Sequence, residues 1–384
     1  MKVFAFSDSH LGHTSGNRIT PDGTNVRQSD FFNTFLICVD RIIGEQPDVV
    51  VHAGDLFNSI RPSNKVIEFA IREFQRILDN TDATILVIGG NHEKPKMNTV
   101  THVFDIMKLS LDVRSEHGIV VNGEFSDERV LFVHEAPLSV TINTNIFHLL
   151  PYRLTTQEMI ADLATIKSEY GDANIMVAHG TLPMEGIPLS IDALPPTEFI
   201  ALSKKMDIVL LGHNHNPSDD TINNIFTLGS IDRGGWDEHT DKYTYSFDTI
   251  NLRRGQLIPT KYLLEIRDMH DMVHIAIGED VGQITNGVLA MPTHPGAIVR
   301  LTIEDIEPKI YQGLDRKIIR EHFSECTQFR LVTRKSQNLE LGQINSDAIN
   351  VLQDWQTFAQ SYGPEIISDG AQRLHTAMPT GGEE

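Results

Sequence analysis

The chain has 384 residues, of which 40% are hydrophobic and 22% are charged, a composition typical of a soluble globular protein with one large domain and a smaller one. The formal net charge at pH 7 is −20. This charge argues against nucleic-acid binding, because affinity for a phosphate backbone comes from lysine and arginine. A bound metal ion or a basic partner can nevertheless supply positive potential at one site, so the charge does not exclude this class of function.

The chain enters an apolar strand at its first residues, without a basic segment, a long apolar segment or a cleavage site. No later run approaches the length of a membrane span. We therefore predict a cytoplasmic protein without a membrane partner. Cys38 and Cys326 lie far apart inside apolar patterns and form no C-x-x-C pair, so we predict buried reduced thiols rather than a disulfide or a structural zinc site.

The first part of the chain alternates apolar strands with helices, which is the pattern of a parallel α/β sheet. We predict one helix that begins at Ser29 or Asp30 and runs to Ile43, and a second that Ser63 caps and that ends near Leu78. Strands are predicted at residues 2–6, 49–51 and 83–88. Polar residues follow each strand, which is the usual position of ligands in open α/β sheets.

The pattern then changes to short strands and turn residues at 113–133, which we interpret as hairpins of a second sheet. A predicted helix at 155–169 leads to strands at 174–178, 207–211 and 225–228. Polar motifs after strands stop near residue 258. We therefore predict a large domain at 1–258 and a small α+β domain at 259–340, with strands at 297–303 and 329–333 and a helix at 315–323.

Residues 341–366 are predicted to form a separate helical region, and residues 367–384 a disordered tail with little that could be buried. The helix, at about 346–362, is amphipathic. Its apolar stripe is either a surface for a partner or the inner face of a helix that packs on its own domain. The stripe consists of Ile349, Leu352, Trp355 and Phe358.

Five short polar motifs each follow a predicted apolar strand, so a parallel sheet would bring them to one edge. Oxygen and imidazole ligands without thiolates suit Mn²⁺, Fe or Zn²⁺. Each motif alone is weak, but all five in order predict a centre of two metal ions, an arrangement that serves phosphoester displacement. The motifs are Asp8-x-His10, Gly54-Asp55, Gly90-Asn91-His92-Glu93, His179 and Gly212-His213-x-His215.

One ligand position has an alternative. His134 also follows an apolar strand, and it competes with His179 for the same role. We favour His179, because the small residue Gly180 follows it and the next strand brings in His213. Two further histidines near the motifs, His13 and His52, are interpreted as packing or supporting residues.

The ordered motifs resemble the signature of calcineurin-like metallophosphoesterases. Their flanking residues further resemble the SbcD-type nucleases, which are the nuclease subunits of SbcC/SbcD double-strand-break repair complexes. The resemblance is strong over residues 1–255 and weak over the small domain. It is carried by Phe6-Ser7-Asp8-Ser9-His10-Leu11-Gly12, Ala53-Gly54-Asp55-Leu56-Phe57, Arg61-Pro62-Ser63 and Leu228-Gly229-Ser230.

This resemblance implies a sandwich of two mixed sheets flanked by helices, with a small α+β capping domain and two Mn²⁺ ions or another divalent metal. His92 would face the scissile phosphate as a general acid or a charge-stabilising group. Asn58 stands where related enzymes often have an aspartate. In those enzymes the aspartate does not bind the metal directly, so this difference concerns the residues that support the ligands and not metal binding itself. The implied ligands are Asp8, His10, Asp55 and His215 for one metal, and Asp55, Asn91, His179 and His213 for the other.

The function implied by the resemblance is a Mn²⁺-dependent DNA nuclease, acting as a 3′-to-5′ exonuclease on duplex ends and as an endonuclease on hairpin or single-stranded DNA. Its implied partners are DNA, an SbcC-type coiled-coil ATPase and a second copy of the chain. No Gly-x-x-x-x-Gly-Lys-Ser/Thr loop occurs in the sequence, so ATP would be bound by the partner. A helix at 98–109 is a candidate dimer interface, with core packing as the alternative.

Lys94 and Lys96 directly follow His92 and are expected to steer a phosphate backbone, although solvated surface lysines are the ordinary interpretation. Two other functions remain as alternatives. The first is a phosphoesterase for small phosphodiesters or phosphoproteins, which the acidic charge favours. The second is an inactive scaffold that holds an ATPase at DNA ends, which the complete set of predicted ligands argues against.

Overall fold

The computed structural model describes residues 1–96, 100–111, 113–167, 171, 173–182, 193–221, 223–252 and 259–335. Up to residue 150, its elements are β1 (Lys2–Phe6), α1 (Val26–Glu45), β2 (Val49–His52), α2 (Asn64–Asn80), β3 (Thr84–Ile88), α3 (Val103–Ser110), β4 (Arg114–Val121), β5 (Glu124–Glu128), β6 (Val130–Val133), β7 (Leu138–Ile142) and β8 (Asn145–Leu150).

The later elements are α4 (Thr156–Thr165), β9 (Ala173–His179), α5 (Pro196–Ser203), β10 (Ile208–Gly212), β11 (Ser218–Asp220), β12 (Ile225–Thr227), β13 (Tyr243–Asp248), α6 (Thr249–Leu252), β14 (Thr260–Leu263), β15 (Met269–Ile275), α7 (Val281–Leu289), β16 (Ile298–Ile306), α8 (Pro308–Gly313), α9 (Arg316–His322) and β17 (Gln328–Lys335).

Two mixed sheets form the larger part of the fold. The first has the strand order β14-β13-β1-β2-β3-β6, and the second has the order β11-β12-β10-β9-β8-β7-β4-β5. Strands β1, β2, β3 and β6 are mutually parallel, as are β8, β9, β10 and β12. The remaining strands pair antiparallel at the edges. The predicted α/β fold with two mixed sheets is therefore confirmed.

The alternation of side chains along β1 shows how the layers pack. Val3 and Ala5 lie in a core that the two sheets share with Phe147 and Val177 of the second sheet. The intervening residues of β1 pack instead under α1 and α2 in a separate core. The outer face of the second sheet is covered in the same way by α4 and α5. Strands buried on both faces read as continuous apolar runs, which is why the sequence predicts them well.

Two local predictions are corrected by the structure. Helix α1 begins at Val26, because the Asn25 side chain caps it by accepting from the amides of Arg27 and Gln28. The predicted start at Ser29 or Asp30 is therefore wrong, because both residues lie inside the helix, and the Asp30 carboxylate binds Arg27 and Arg267. The prediction that β6 belongs to the hairpins of the second sheet is also wrong, because β6 lies in the first sheet parallel to β3.

The small sheet, β15-β16-β17, is parallel throughout. It packs with α7 and α9 around its own hydrophobic core, and the predicted strands and helix of this region are confirmed within a few residues. Strand β14 belongs to the first sheet, so that sheet extends past residue 258, and the division into domains stays a prediction. The guanidinium of Arg267 links the two parts through Asp30, at 2.7 Å and 2.9 Å.

The predicted region 341–366, with Ile349, Leu352, Trp355 and Phe358, and the tail 367–384 lie outside the described residues. Both cysteines are buried and free, as predicted. A search of the described part of the chain found no helix both long enough and apolar enough to cross a membrane.

Candidate metal centre

The predicted site residues meet at the carboxyl ends of five strands from both sheets. Asp8 and Asp55 follow β1 and β2, Asn91 follows β3, and His179 and His213 lie at the ends of β9 and β10. The two sheets face each other across a shared core. Parallel strands therefore bring residues that are distant in sequence to one edge of the sandwich.

Four of these residues have an unusual backbone conformation. The φ angles are 50° at Asp8, 40° at His10, 53° at Asp55 and 93° at His213, all in the region that favours glycine. Backbone hydrogen bonds hold them there, for example from the amide of Asp8 to the carbonyl of Gly54 at 3.0 Å. Such strain persists where surrounding structure fixes it, and it is concentrated at functional sites.

Glycines allow the loops of the site to approach closely. A Cβ atom at Gly90 would overlap the carboxylate and the backbone nitrogen of Asp55, and one at Gly54 would overlap the ring of His179. Gly54 also has a φ of 97°. The Gly-Asp and Gly-Asn-His motifs thus require glycine for packing as well as for backbone conformation.

One group of ligand atoms consists of Asp8, His10 and His215, whose ligand atoms all lie within 4.8 Å of one another. The Nε2 atoms of His10 and His215 are only 2.8 Å apart. The Nε2 of His10 lies 4.0 Å from Asp8 Oδ1 and 3.8 Å from Asp55 Oδ2. Imidazole and carboxylate donors that converge in this way fit a divalent metal ion.

A second group consists of Asp55, His179 and His213, also within 4.8 Å. The Oδ1 of Asn91 lies 3.0 Å from His179 Nε2 and 2.9 Å from His213 Nδ1. The Oδ2 of Asp55 is 3.4 Å from His179 Nε2. Because the same oxygen lies 3.8 Å from His10 Nε2, Asp55 stands between the two groups.

Hydrogen bonds on the far side of three rings fix the nitrogen that each presents to the site. The Nδ1 of His179 lies 2.8 Å from the carbonyl of Ala53, and the Nδ1 of His215 lies 3.0 Å from Glu238. The Nδ1 of His92 lies 3.1 Å from the carbonyl of Asn58. Each Nδ1 therefore carries a proton, so Nε2 is the atom that faces the site and that can bind a metal or a substrate when it is unprotonated.

The charges of the site also indicate a cation. Burial raises the pKa of the Asp55 carboxyl, but the charge and hydrogen bond of His179 outweigh burial and hold this pKa well below its usual range. Burial lowers the pKa of His179, but the nearby carboxylate of Asp55 has the opposite effect, and the pKa of His179 rises to about 9. In the absence of metal, a proton on His179 thus neutralises Asp55. A divalent ion bound by both residues would take the place of that proton.

The other histidines have separate roles. His134 lies apart from both groups, with its Nε2 3.0 Å from Asp105 and its ring stacked on His102 at 4.0 Å. The structure thus brings His179, and not His134, into the cluster. The ring of His13 packs on Phe31, with its centroid 4.7 Å from that of the phenyl ring.

The two predicted phosphate-steering lysines point to different places. The Nζ of Lys94 donates to the carbonyl of His134 at 3.0 Å and is therefore engaged away from the cluster. Lys96 is exposed and lines a cavity of about 650 Å³ together with Asn91, His92 and Arg61. The position of Lys96 is thus the more suitable for a substrate phosphate.

The sequence interpretation missed two carboxylates. Glu93 is part of a predicted motif, but the sequence assigns it no role: its Oε1 accepts from the amide of Phe57 at 2.6 Å and its Oε2 from the amide of Gly90 at 3.0 Å. It therefore ties the Asp55 loop to the Asn91 loop. Glu238, which contacts His215, lies in an irregular loop without any periodic pattern, so no sequence signal points to it.

His52 provides a pH prediction. Its ring is fully buried beside Ser9, and burial lowers its pKa from about 6.5 to about 3. The unfolded chain therefore binds the extra proton first, so the free energy of unfolding falls as the pH falls from 6.5 towards 3. Between pH 7 and pH 5, this group should account for about 2 kcal/mol of the loss.

Urea unfolding of metal-free protein at pH 7 and pH 5 measures this loss. His52→Leu, which keeps the volume of the side chain, should show a smaller loss than the wild type. His239→Leu, a change at an exposed histidine, serves as the control and should match the wild type. Equal losses in all three proteins would contradict the assignment to His52.

Comparison with known proteins gives one family match. The model of the family described as calcineurin-like phosphoesterase matches residues 1–217, which contain all seven predicted metal ligands and His92. The match thus covers more than half of the chain and includes strands β1 to β10.

Curated relatives are similar at modest identity. The chain is 30% identical over 125 residues, 32% of each chain, to the DNA double-strand break repair protein Mre11 of Methanocaldococcus jannaschii. It is 24% identical to Mre11 of Sulfolobus acidocaldarius, over 58% of this chain and 51% of the relative. It is 24% identical to the SbcD component of the SbcCD nuclease of Staphylococcus epidermidis, over 66% of this chain and 64% of the relative. The matches thus span between about a third and two thirds of these relatives.

Proposed function

The chain belongs to the calcineurin-like phosphoesterase family, and from this premise we propose that it is a DNA nuclease with a centre of two divalent metal ions. Asp8, His10, Asp55 and His215 hold one ion, and Asp55, Asn91, His179 and His213 hold the other. The observation that carries this proposal is the position of Asp55 Oδ2, 3.8 Å from His10 Nε2 and 3.4 Å from His179 Nε2.

The residues present fit two such ions. The donors are carboxylate, amide and imidazole groups, and three of the rings are held with Nε2 towards the site. When bound, two ions would supply positive charge to a phosphate and lower the pKa of a bound water molecule. Mn²⁺ is the proposed metal, on the basis of the resemblance to SbcD-type nucleases and of the nitrogen and oxygen donors.

His92 is proposed to protonate or stabilise the leaving oxygen. Its Nδ1 is bound to the carbonyl of Asn58 and its amide donates to Asp55 Oδ1 at 2.9 Å, so the ring is fixed beside the cluster. His92 lines two cavities, one of about 530 Å³ shared with His10, His213 and His215 and one of about 650 Å³ shared with Asn91 and Lys96. A phosphodiester chain that crosses from one cavity to the other passes His92, which suits a general acid.

DNA is the proposed substrate, because the similar proteins carry the names of break-repair proteins and of a nuclease component. Arg61 and Lys96 supply local positive charge beside His92 in spite of the net charge of −20. The proposed activities are 3′-to-5′ exonuclease on duplex ends and endonuclease on hairpin or single-stranded DNA, in break repair or recombination. A cytoplasmic location remains a prediction.

The proposed partners are an SbcC-type ATPase and a second copy of the chain. Val103 and Met107 of α3 are buried in the core, whereas Ile106 is 43% exposed and Leu109 is 86% exposed. The exposed pair supports the dimer proposal, since large apolar side chains on one helix face suit a protein interface. The stripe proposed to bind the ATPase lies outside the described residues.

The function is tested with an end-labelled duplex oligonucleotide incubated with Mn²⁺ or with EDTA, with and without an SbcC-type ATPase. We expect cleavage that needs Mn²⁺. Turnover of small phosphodiesters or phosphoproteins with none of DNA, even with the ATPase, would support the alternative phosphoesterase. Purified protein that binds no metal would support the scaffold alternative.

A further inference from the structure

We propose that Glu238 is a positioning residue that holds the imidazole of His215 in the tautomer and orientation that metal binding requires. This inference rests on the proposed two-metal site and extends it to a residue outside the family's matched region of 1–217. Glu238 lies in the loop between β12 and β13, and its side chain is only 8% exposed.

Three donors converge on one oxygen of Glu238. Its Oε1 accepts from His215 Nδ1 at 3.0 Å, from the amide of Gly234 at 2.9 Å and from the amide of Gly235 at 2.7 Å. The two backbone amides fix the carboxylate independently of His215. The carboxylate can therefore orient the ring and does not merely follow it.

The second oxygen of Glu238 contacts a buried lysine. Its Oε2 accepts from Lys242 Nζ at 2.7 Å and lies 3.1 Å from Ser230 Oγ, whose hydroxyl is 2.7 Å from the carbonyl of Asp232. The Lys242 side chain is fully buried, and its Nζ also donates to Ser230 Oγ at 2.8 Å and to the carbonyl of His215 at 2.9 Å. The same network therefore holds both the backbone and the ring of His215.

Glu238 is expected to affect only the metal position that includes His215. With its proton on Nδ1, the ring of His215 presents the Nε2 lone pair to the group with Asp8 and His10. In the other group, His179 is oriented by the carbonyl of Ala53, without a contact to Glu238. Loss of Glu238 should thus weaken one metal site and leave the other intact.

The test is a Mn²⁺ titration of metal-free full-length protein, followed by calorimetry. Glu238→Leu combined with Lys242→Met removes both buried charges together, so that neither is left unpaired. We expect two Mn²⁺ sites in the wild type and about 10- to 100-fold weaker binding at one of them in this double variant. Glu238→Gln should show a smaller loss at the same site, because its amide oxygen can still accept from His215.

The matched control is Glu279→Gln, which changes the carboxylate that lies 2.6 Å from His274 Nε2 in the small sheet region. It should bind both ions as the wild type does. NMR with ¹⁵N-labelled histidine on the metal-free proteins should also report the Nδ1–H tautomer of His215 in the wild type and its loss in the double variant. A purely structural role of Glu238 would not change this tautomer selectively.

Three results would overturn the inference. The first is that Glu238→Gln and the double variant bind both ions within twofold of the wild type. The second is equal weakening of both sites together with a lower melting temperature, which would indicate a general disturbance of the fold. The third applies if the double variant does not fold: unchanged binding of both ions by Glu238→Gln then decides against the inference. A wild type that binds no metal would instead refute the two-metal proposal itself.

Discussion

Asp55→Asn is expected to remove both metal ions, whereas Asp8→Asn should mainly weaken one. The Oδ2 of Asp55 lies between the two groups of ligand atoms, near His10 and near His179, but Asp8 belongs to one group. Asparagine keeps the shape of the side chain and removes its charge. We expect affinity at both sites to fall by more than about 100-fold, since even a residue that only supports a ligand contributes about 10- to 100-fold.

The measurement is the number of Mn²⁺ ions retained per chain after dialysis, with DNA cleavage as the second readout. Asp127→Asn is the matched control, because Asp127 pairs with Arg114 on the surface, away from the cluster. It should retain two ions. If Asp55→Asn and Asp8→Asn both lost the same single ion, the assignment of Asp55 as the shared ligand would be wrong.

His92→Ala is expected to retain both ions and to lower the rate of DNA cleavage by about 10²- to 10⁴-fold, the usual contribution of a general acid. The ring is held by the carbonyl of Asn58 and by its own backbone contact with Asp55. His92 also lies within 4.8 Å of ligand atoms of His10 and Asp55. Metal content must therefore be measured together with the rate.

The control for this variant is His134→Ala, since His134 also follows a strand of the first sheet but contacts Asp105 and His102. Its rate should stay within a few fold of the wild type. Loss of an ion from His92→Ala would indicate that His92 is a metal ligand. If His92→Ala cleaved DNA at the rate of the wild type, His92 would have no role in the mechanism.

The sequence predicts the strands of this fold well where they are buried on both faces, because short, β-branched apolar runs such as 49–51 are typical of buried parallel strands. It also predicts that the polar residues after them meet, because parallel strands end at one edge. The assignment of each ligand to one of two metal ions comes from the family resemblance and not from the pattern of apolar residues. The geometry is consistent with it, through the positions of Asp55 and Asn91.

Other features need three-dimensional information. Strand β6 has the same apolar pattern in either sheet, so its sequence cannot show whether it pairs with β3 or joins the hairpins. The predicted start of α1 is too late because several residues near it can cap a helix, and only the structure shows that Asp30 binds arginines instead. Glu238 contacts His215 across an irregular loop, and no pattern predicts such a contact.

The most direct test of the two-metal centre is crystallography of the Mn²⁺-soaked protein with anomalous data collected at the manganese absorption edge. We predict two anomalous peaks about 3.5–4 Å apart, with the Asp55 carboxylate between them, one beside His10 and His215 and the other beside His179 and His213. A single peak, or two peaks of which only one contacts Asp55, would contradict the proposed centre.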